Sequence, residues 1–257
     1  MRRPGAHTGQ QSLHGGCPGY SRLNREGAYS FVPSTSMSVR PSVETIFADH
    51  LSSNVFPCLA AKTAHTRNQI THVVSGDIRC GKDDAWLAQA IQGFAGRRKP
   101  EHVFHSLVVH FPDSRGMDES GFEASLFARL QGIHDVDSES FAWDPSVSSD
   151  PASEKFSMSV GGQSFYVIGL HPGASREARR LAHPAMVFNL HAQFEYLREQ
   201  GRYDRLREAI IERDVAMNGS ANPMLAVHGE SSEALQYSGR KIDGPWQCPF
   251  KPHGRAA

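Results

Sequence analysis

The pair Gly161-Gly162 restricts the fold of this chain most, because strand-like runs flank it on both sides. The run at 155–160 alternates polar and apolar residues, and the run at 164–170 is rich in aromatic and β-branched residues. Two such runs joined by a Gly-Gly pair are typical of a β-hairpin, since glycine accepts the positive φ that a tight hairpin turn requires. The chain is therefore predicted to contain antiparallel sheet.

Other runs add strands and helices around this hairpin. Apolar β-branched residues predict strands at 105–111 and 186–190. Helical spacing of apolar residues, with capping signals, predicts five helices besides the one that begins near Cys58. These are a helix opened by Ser42-x-x-Thr45, a helix over 85–95 capped by Asp83 or Asp84, a helix behind the capping box Ser120-x-x-Glu123, and two helices after His191 that Gly201 separates. The expected fold class is α+β, with a small antiparallel sheet packed with several helices in a single compact domain.

The first 39 residues differ in composition from the rest of the chain. Gly, Ser, Pro, His and Gln dominate there, and large apolar residues are isolated. Such a segment buries too little apolar surface to offset the entropy of ordering it. Residues 1–39 are therefore predicted to form a disordered leader, and Met37 is a candidate for the native start. Residues 40–257 are predicted to form the folded domain.

Composition and the absence of common motifs narrow the function classes. Lys+Arg 27 and Asp+Glu 27 balance, so no basic field indicates a nucleic-acid partner. No apolar run approaches the ~20 residues that cross a bilayer, so no membrane role is expected. The four cysteines lie far apart without a C-x-x-C pair, which argues against a zinc ribbon or a disulfide scaffold. The chain also lacks a P-loop, a dinucleotide-binding fingerprint, a G-x-S-x-G elbow and H-E-x-x-H. The expected location is the cytoplasm.

A thiol at the predicted start of a helix is the first candidate site. Pro57 suits the first helical position, and the residues from Leu59 to Lys62 are good helix formers. Cys58 would then lie among unpaired N–H groups at the positive end of the helix dipole, with Lys62 one turn further on. This environment favours a thiolate, which can attack an electrophile, exchange disulfides or bind a metal. The alternative is a buried cysteine that only fills the core.

An arginine cluster is the second candidate site. Arg176 and Arg180 are four residues apart and share a helical face, with Arg179 beside them, directly after a Pro-Gly turn that ends a strand. Guanidinium groups bind carboxylates and phosphates through paired hydrogen bonds. The alternative is a solvated charged face with Glu177 as a local partner. We favour anion binding, because ligands often lie at strand ends.

The chain has 14 histidines, but few are spaced as metal ligands. His102, His105 and His110 flank or lie in the predicted strand at 105–111. Two histidines on one strand face supply only part of a metal site. Histidines that satisfy polar contacts at the surface or in the core are therefore the favoured interpretation.

Motifs from about Val43 to Phe250 resemble, in order, those of the YqcI/YcgG-like family. The first motifs are Phe56-Pro57-Cys58-x-x-Ala61-Lys62, Leu130-Gln131-x-x-His134-Asp135-x-Asp137, Trp143-Asp144-Pro145-x-Val147-Ser148 and Gly169-Leu170-His171-Pro172-x-x-Ser175-Arg176-x-Ala178-Arg179-Arg180. The later ones are Val187-Phe188-Asn189-x-His191-x-Gln193-Phe194-Glu195, Gly219-Ser220-x-Asn222-Pro223-Met224-Leu225, Gln236-Tyr237-Ser238-Gly239-Arg240 and Trp246-x-Cys248-Pro249-Phe250. Ala174 departs from the family's pattern. The family includes haem-dependent N-hydroxylases that act on arginine and related guanidino amino acids, as in the guanitoxin and D-cycloserine pathways.

The resemblance implies a haem b cofactor with a cysteine thiolate as axial ligand, and it points to Cys58 as metal ligand and catalytic residue. Thiolate ligation favours cleavage of the O–O bond. The implied reaction is hydroxylation of a guanidine or amine nitrogen of a small amino-acid or guanidino substrate, with O2 and an electron donor. The implied cofactor-binding residues are Cys58, Lys62, His171, Arg176, Arg179 and Arg180, of which the arginines and His171 would face the haem propionates.

A guanidinium substrate requires carboxylates, and the candidates are Asp135, Asp137 and Glu195. Cys248 is the rival iron ligand, although its flanks have no helix. Two other functions stay open: a haem-binding sensor or carrier without turnover, and a haem-free enzyme that uses Cys58 as nucleophile with His65 or another histidine as base. A homodimer is compatible with the sequence, but no patch specifies one.

Overall fold

The computed structural model describes residues 41–54, 56–97, 103–222 and 231–253. The predicted leader at 1–39, with Met37 and Cys17, lies outside the described residues. The same is true of His102 and of the motif residues at 223–225.

A five-stranded mixed sheet forms the centre of the domain, in the order β1-β2-β5-β4-β3. Its strands are β1 (Ile70–Val74), β2 (Ser106–His110), β3 (Met158–Val160), β4 (Gln163–Leu170) and β5 (Ala185–Leu190). The pair β1 and β2 is parallel, and the other three pairs are antiparallel. The α+β prediction is confirmed. The sheet is mixed because β1, which the sequence analysis did not predict, adds to the edge in the direction of β2.

Seven helices are described. They are α1 (Val43–Ser52), α2 (Leu59–Thr66), α3 (Asp84–Gly96), α4 (Glu119–Asp137), α5 (His191–Glu199), α6 (Tyr203–Asn218) and α7 (Ala234–Tyr237). The larger core lies where α3 and α4 pack on the odd-numbered side chains of β2, such as Leu107 and Val109. A smaller core lies on the other face, where Phe47 of α1 packs with Val108 and Val187. No helix in the described ranges combines the length and the apolar character needed to span a bilayer.

The hairpin prediction is confirmed. Strand β3 pairs with β4 so that Val160 faces Gln163, and Gly161 and Gly162 form the two-residue turn between them. Both glycines have positive φ, 62° and 68°. Two consecutive residues with positive φ define the turn that matches the twist of hairpin strands, and glycine adopts it without steric cost.

Helix α4 is capped two residues earlier than the sequence predicts. The helix begins at Glu119, and its N-cap is Asp118, whose Oδ1 accepts the N–H of Gly121 at 2.7 Å. Ser120 and Glu123 therefore lie inside the helix, and the predicted capping box is wrong. Glu123 instead accepts hydrogen bonds from Ser238 at 2.9 Å and from the Arg240 guanidinium at 2.7 Å. This carboxylate ties the C-terminal segment to α4.

Candidate functional site

A cavity of about 300 Å³ lies between the sheet and the helices α1, α2, α5 and α6. Much of its lining is apolar, as shown by Phe47, Phe56, Ile168, Leu170 and Val187. Small-molecule sites in proteins are apolar concavities of roughly 300–1,000 Å³ with a few polar groups that orient the ligand. The cavity is at the lower end of that range and is the candidate ligand site.

One face of α6 forms a wall of this cavity. Leu206, Ile210 and Ile211 line it at helical spacing and are only partly buried. Asp214, two turns beyond Arg207 on the same face, is buried. An apolar helix face normally packs against other apolar groups. The partly covered face of α6 is therefore suited to contact an apolar ligand.

Cys58 lines the cavity at the N-cap of α2. The helix begins at Leu59, so Pro57 precedes the helix and Cys58 is its cap rather than a residue of its first turn. The Cys58 sulfur accepts a hydrogen bond from the Ala61 N–H at 3.4 Å. The predicted placement of a thiol at a helix N-terminus is thus confirmed, with a shift in the helix start.

Burial changes the expected charge of this thiol. Desolvation raises the pKa of Cys58, and the N–H groups of Ala61 and Ala60 and the nearby Arg179 offset only part of that effect. The helix terminus alone therefore does not hold a thiolate, contrary to the expectation from sequence. A metal that binds the sulfur would displace the proton, because thiolate is the ligating form.

The chain segment before Cys58 is held in place by two cationic side chains. Lys62 Nζ donates to the Ser53 carbonyl oxygen at 2.6 Å. From α6, Arg213 Nε donates to the Phe56 carbonyl oxygen at 3.1 Å, and its Nη2 donates to that of Asn54. Lys62 therefore binds backbone outside the cavity lining, and the position of Cys58 depends on α6.

The structure brings two of the three predicted arginines to the cavity. Arg176 lines it and binds Asp214 Oδ2 at 2.6 Å. Arg179 also lines it, but its guanidinium donates to the carbonyl oxygen of Gly169 at 3.0 Å and to that of Gln236 at 3.2 Å. Both arginines are thus engaged by protein acceptors.

Arg180 and His171 lie outside the cavity lining. The Arg180 guanidinium donates to the carbonyl oxygens of Ala174 at 2.7 Å and Ser175 at 2.9 Å, so it closes the turn that precedes it. His171 is buried, and its ring stacks on that of Phe122 with 4.3 Å between centroids. These two residues therefore do not join Cys58.

The three candidate substrate carboxylates also lie outside the cavity lining. Asp135 is exposed and accepts hydrogen bonds from Gln131 and His253, both at 2.7 Å. Asp137 is buried and accepts from Gln92 at 2.7 Å and from the Gly161 N–H at 2.8 Å, next to the hairpin turn. Glu195 pairs with Arg198 on the surface of α5.

Several polar side chains that line the cavity were not predicted from the sequence. Glu233 Oε1 lies 2.8 Å from His191 Nε2, and the Tyr166 hydroxyl donates to Gln236 Oε1 at 2.6 Å. His191 and Gln236 lie in the family-like motifs, which was the available signal. Tyr166 is on the cavity-facing side of β4, and its strand position gave no functional signal.

Arg198 and Arg207 were missed as well. Both line the cavity, Arg198 from α5 and Arg207 from α6. The Arg198 guanidinium carbon lies 4.3 Å from the centre of the Tyr203 ring. The cavity therefore carries cationic groups on two adjacent helices.

The remaining candidate ligands lie elsewhere. Cys248 packs against the larger core, where burial raises the pKa of its thiol to about 11. His110 is buried and bonds to His72 and His183, and the His105 ring contacts that of Phe94. Across the ranges that the structure describes, there is no group of three or more His, Cys, Asp or Glu side chains that could hold a metal ion.

The fold is that of an α+β protein with a largely apolar cavity on one face of a mixed sheet. The model of the YqcI/YcgG family matches residues 47–251, most of the chain, so this chain belongs to that family. No curated protein and no solved structure matches it.

Proposed function

We propose that the protein is a haem-thiolate monooxygenase that hydroxylates a nitrogen of arginine or of a related guanidino or amino compound. The observation that carries the proposal is the position of Cys58, a cysteine at a helix N-cap on the wall of an apolar cavity. The resemblance of the motifs to those of haem-dependent N-hydroxylases supplies the reaction. O2 and an electron donor are the implied partners, and the cytoplasm is the proposed setting.

The residues of the cavity fit a haem group. A metal ion held by side chains alone needs three or more donors, whereas haem iron needs only an axial ligand from the protein. Cys58 offers one sulfur donor, and the apolar walls offer surface for a macrocycle. Arg198 and Arg207 offer guanidinium groups for the propionates, the role that the sequence analysis gave to Arg176, Arg179 and Arg180.

Each part of the site would then have a separate role. Bound haem with a thiolate ligand supplies reductive activation of O2. Cys58 would hold the iron as a thiolate, and the Ala61 N–H, which donates to the sulfur, would moderate its electron donation. The apolar side chains of α6 and β4 exclude water around the reacting groups. Arg213 and Lys62 keep the segment before Cys58 in place.

The structure gives less support to a haem-free thiol enzyme. A nucleophilic cysteine requires a lowered pKa or an adjacent base. Burial raises the pKa of Cys58, and His65, the base named first for this alternative, is exposed and outside the cavity lining. His50 and His191 do line the cavity, but His50 bonds to the Ala178 carbonyl oxygen at 3.1 Å and His191 to Glu233 at 2.8 Å.

The absorption spectrum after haem reconstitution tests the proposal. The reduced protein under carbon monoxide is expected to show the strongly red-shifted Soret band of thiolate ligation. Cys58→Ser should lose that band, because a hydroxyl does not replace a thiolate donor. Cys248→Ser is the matched control and should keep it, since Cys248 lies in the larger core.

Two results would contradict parts of this proposal. A haem spectrum without the red shift would move the ligand to a histidine and remove Cys58 from the iron. A protein that cannot be loaded with haem would contradict the proposed haem-dependent monooxygenase function. If haem binds through Cys58, consumption of O2 that depends on an arginine-like substrate and a reductant separates an enzyme from a sensor or carrier.

A further inference from the structure

Three amide side chains line the cavity, and each is buried, with 8% or less of its surface exposed. They are Asn189 of β5, Gln193 of α5 and Gln236 of α7, and we call them the amide band. An amide has one acceptor oxygen and one nitrogen with two donor hydrogens. Because buried polar groups normally have partners, the bonds that these amides make within the protein show what each leaves for a ligand.

Two consecutive residues at the start of β2 orient two of the amides. The His105 N–H donates to Gln193 Oε1 at 3.0 Å. The Ser106 hydroxyl donates to Asn189 Oδ1 at 2.7 Å. A backbone N–H can only donate, so it fixes which end of the Gln193 amide faces it. Among the described residues neither amide nitrogen has a protein acceptor, and both remain as donors at the cavity wall.

The third amide is oriented in the same way from β4. Tyr166 lies beside Asn189 in the pairing of β4 with β5, and its hydroxyl donates to Gln236 Oε1 at 2.6 Å. The Gln236 amide nitrogen also has no protein acceptor in the described part of the chain. The protein therefore occupies the oxygen of every amide in the band and leaves the N–H groups for a ligand that accepts hydrogen bonds.

The rest of the sheet face that borders the cavity is apolar. Two residues further along the strands, about 7 Å away, the next cross-strand row is Val108, Val187 and Ile168. Cys58 packs against the core cluster to which this row belongs. The cavity thus has a polar end at the amide band and an apolar end near Cys58. A ligand that fills it has an apolar or reacting part and a separate acceptor group.

The charge of the lining favours an acceptor group that is an anion. Arginines outnumber carboxylates in the described lining, which holds Arg176, Arg179, Arg198 and Arg207 against Asp214 and Glu233. The Arg179 guanidinium donates to the backbone carbonyl oxygen of Gln236 at 3.2 Å, so one of these charges lies next to the amide band. A carboxylate has two oxygens that accept from several N–H groups at once, and hydrogen bonds to an ionised acceptor are the stronger ones.

We infer that the amide band binds a carboxylate of the ligand of this cavity through the N–H groups of Asn189, Gln193 and Gln236. A haem propionate and the carboxylate of an amino-acid substrate share this chemistry, and the inference rests on the proposed function for these two sources. Ser106 and Tyr166 are positioning residues, since they act through the amides whose oxygens they occupy.

Two pairs of probes, each with and without the carboxylate, test this role. Equilibrium dialysis at saturating haem compares L-arginine with agmatine, which lacks the carboxylate. Titration of the haem-free protein compares ferric haem with its dimethyl ester. Gln193→Glu keeps an oxygen that accepts from His105 and replaces the donor nitrogen by a second oxygen. It should weaken binding of the carboxylate-bearing probe about 10- to 100-fold, whereas the partner probe should bind no more weakly than to wild type.

The pair of probes that responds identifies the source of the carboxylate. A loss confined to arginine assigns the amide band to the substrate, and a loss confined to haem assigns it to a propionate. Gln200→Glu is the matched control, because Gln200 is exposed at the end of α5 and outside the cavity lining. It should change no affinity. Gln236→Glu makes the same change from α7 and is used if Gln193→Glu does not fold.

The haem spectrum of the wild type separates this inference from the proposed function. A wild type that binds no haem would contradict the proposed function, and arginine and agmatine are then compared on the haem-free protein. The inference is overturned if Gln193→Glu keeps the wild-type preferences for arginine over agmatine and for haem over its ester. A wild type that shows neither preference overturns it as well.

Discussion

Gly169→Ala is expected to destabilise the protein by about 3 kcal/mol or more, or to prevent folding. A Cβ on Gly169 would lie 2.6 Å from Phe122 Cε1, 2.7 Å from Leu126 Cδ1 and 2.8 Å from the Tyr237 carbonyl oxygen. Two of these neighbours are core side chains of α4, and the third is backbone that receives a long hydrogen bond, 3.4 Å, from Arg179. None can move away without disturbing the packing of the larger core. Urea unfolding monitored by circular dichroism measures the change.

Gly96→Ala is the control for this substitution. Gly96 ends α3, and a Cβ there would meet no atom within 4 Å. Its φ does not require glycine. Alanine at such a position should leave the free energy of unfolding within about 1 kcal/mol of wild type or raise it slightly. If both substitutions change the free energy of unfolding equally, the close contacts of a Cβ at position 169 do not cause the loss of stability.

The features that can be predicted from the sequence are those whose determining residues are adjacent in the chain. The hairpin depends on Gly161 and Gly162, and the boundary between α5 and α6 depends on Gly201, which has a φ of 61°. The apolar stripe of Phe122, Leu126, Leu130 and Ile133 is buried as predicted. Each of these features rests on local geometry or periodicity that one short stretch contains.

Features that depend on distant residues could not be predicted in the same way. Strand β1 was missed because it is short and pairs with β2, more than 30 residues away, in a parallel register. The start of α4 was predicted at the wrong residue because Asp118 and Ser120 are both residue types that commonly cap helices. Only the tertiary structure decides between two such neighbours.

The same distinction applies to the candidate site. Cys58 could be singled out, because its position before a helix is a local signal. Glu233 could not, since its place in the cavity lining depends on contacts between distant segments, such as that with His191, 42 residues away. Arg207 could not be singled out either, because the sequence does not show which face of α6 turns toward the cavity.

The stability of the protein is expected to fall as the pH drops from about 6.5, because of a chain of three histidines in which His110 and His183 are buried. His72 Nδ1 lies 2.9 Å from His110 Nε2, and His110 Nδ1 lies 2.8 Å from His183 Nε2. Phe47 packs against His110 with its ring edge-on, at 5.9 Å between centroids. His110 is completely buried at the centre of this chain, which holds β1, β2 and the segment before β5 together.

The direction of the pH effect follows from the pKa of His110. Burial, followed by the neighbouring His183 and His72, lowers that pKa to about 3, and the opposing effect of Glu44 is smaller. Burial, and then the nearby Arg115, lowers the pKa of His183 as well. Between pH 6.5 and pH 3 the unfolded chain therefore binds a proton that the native protein does not. The free energy of unfolding is highest above pH 6.5 and loses up to about 5 kcal/mol by pH 3 through this group.

His110→Gln isolates this contribution, because an amide can bond to both histidine neighbours and does not titrate. Between pH 4 and pH 6 its free energy of unfolding should depend less steeply on pH than that of wild type, by about 1.4 kcal/mol per pH unit. Urea unfolding at several pH values measures both slopes. His65→Gln, on the exposed side of α2, should keep the wild-type slope. An unchanged slope in His110→Gln would mean that His110 takes up its proton in the native protein, and that the chain of histidines opens before the domain unfolds.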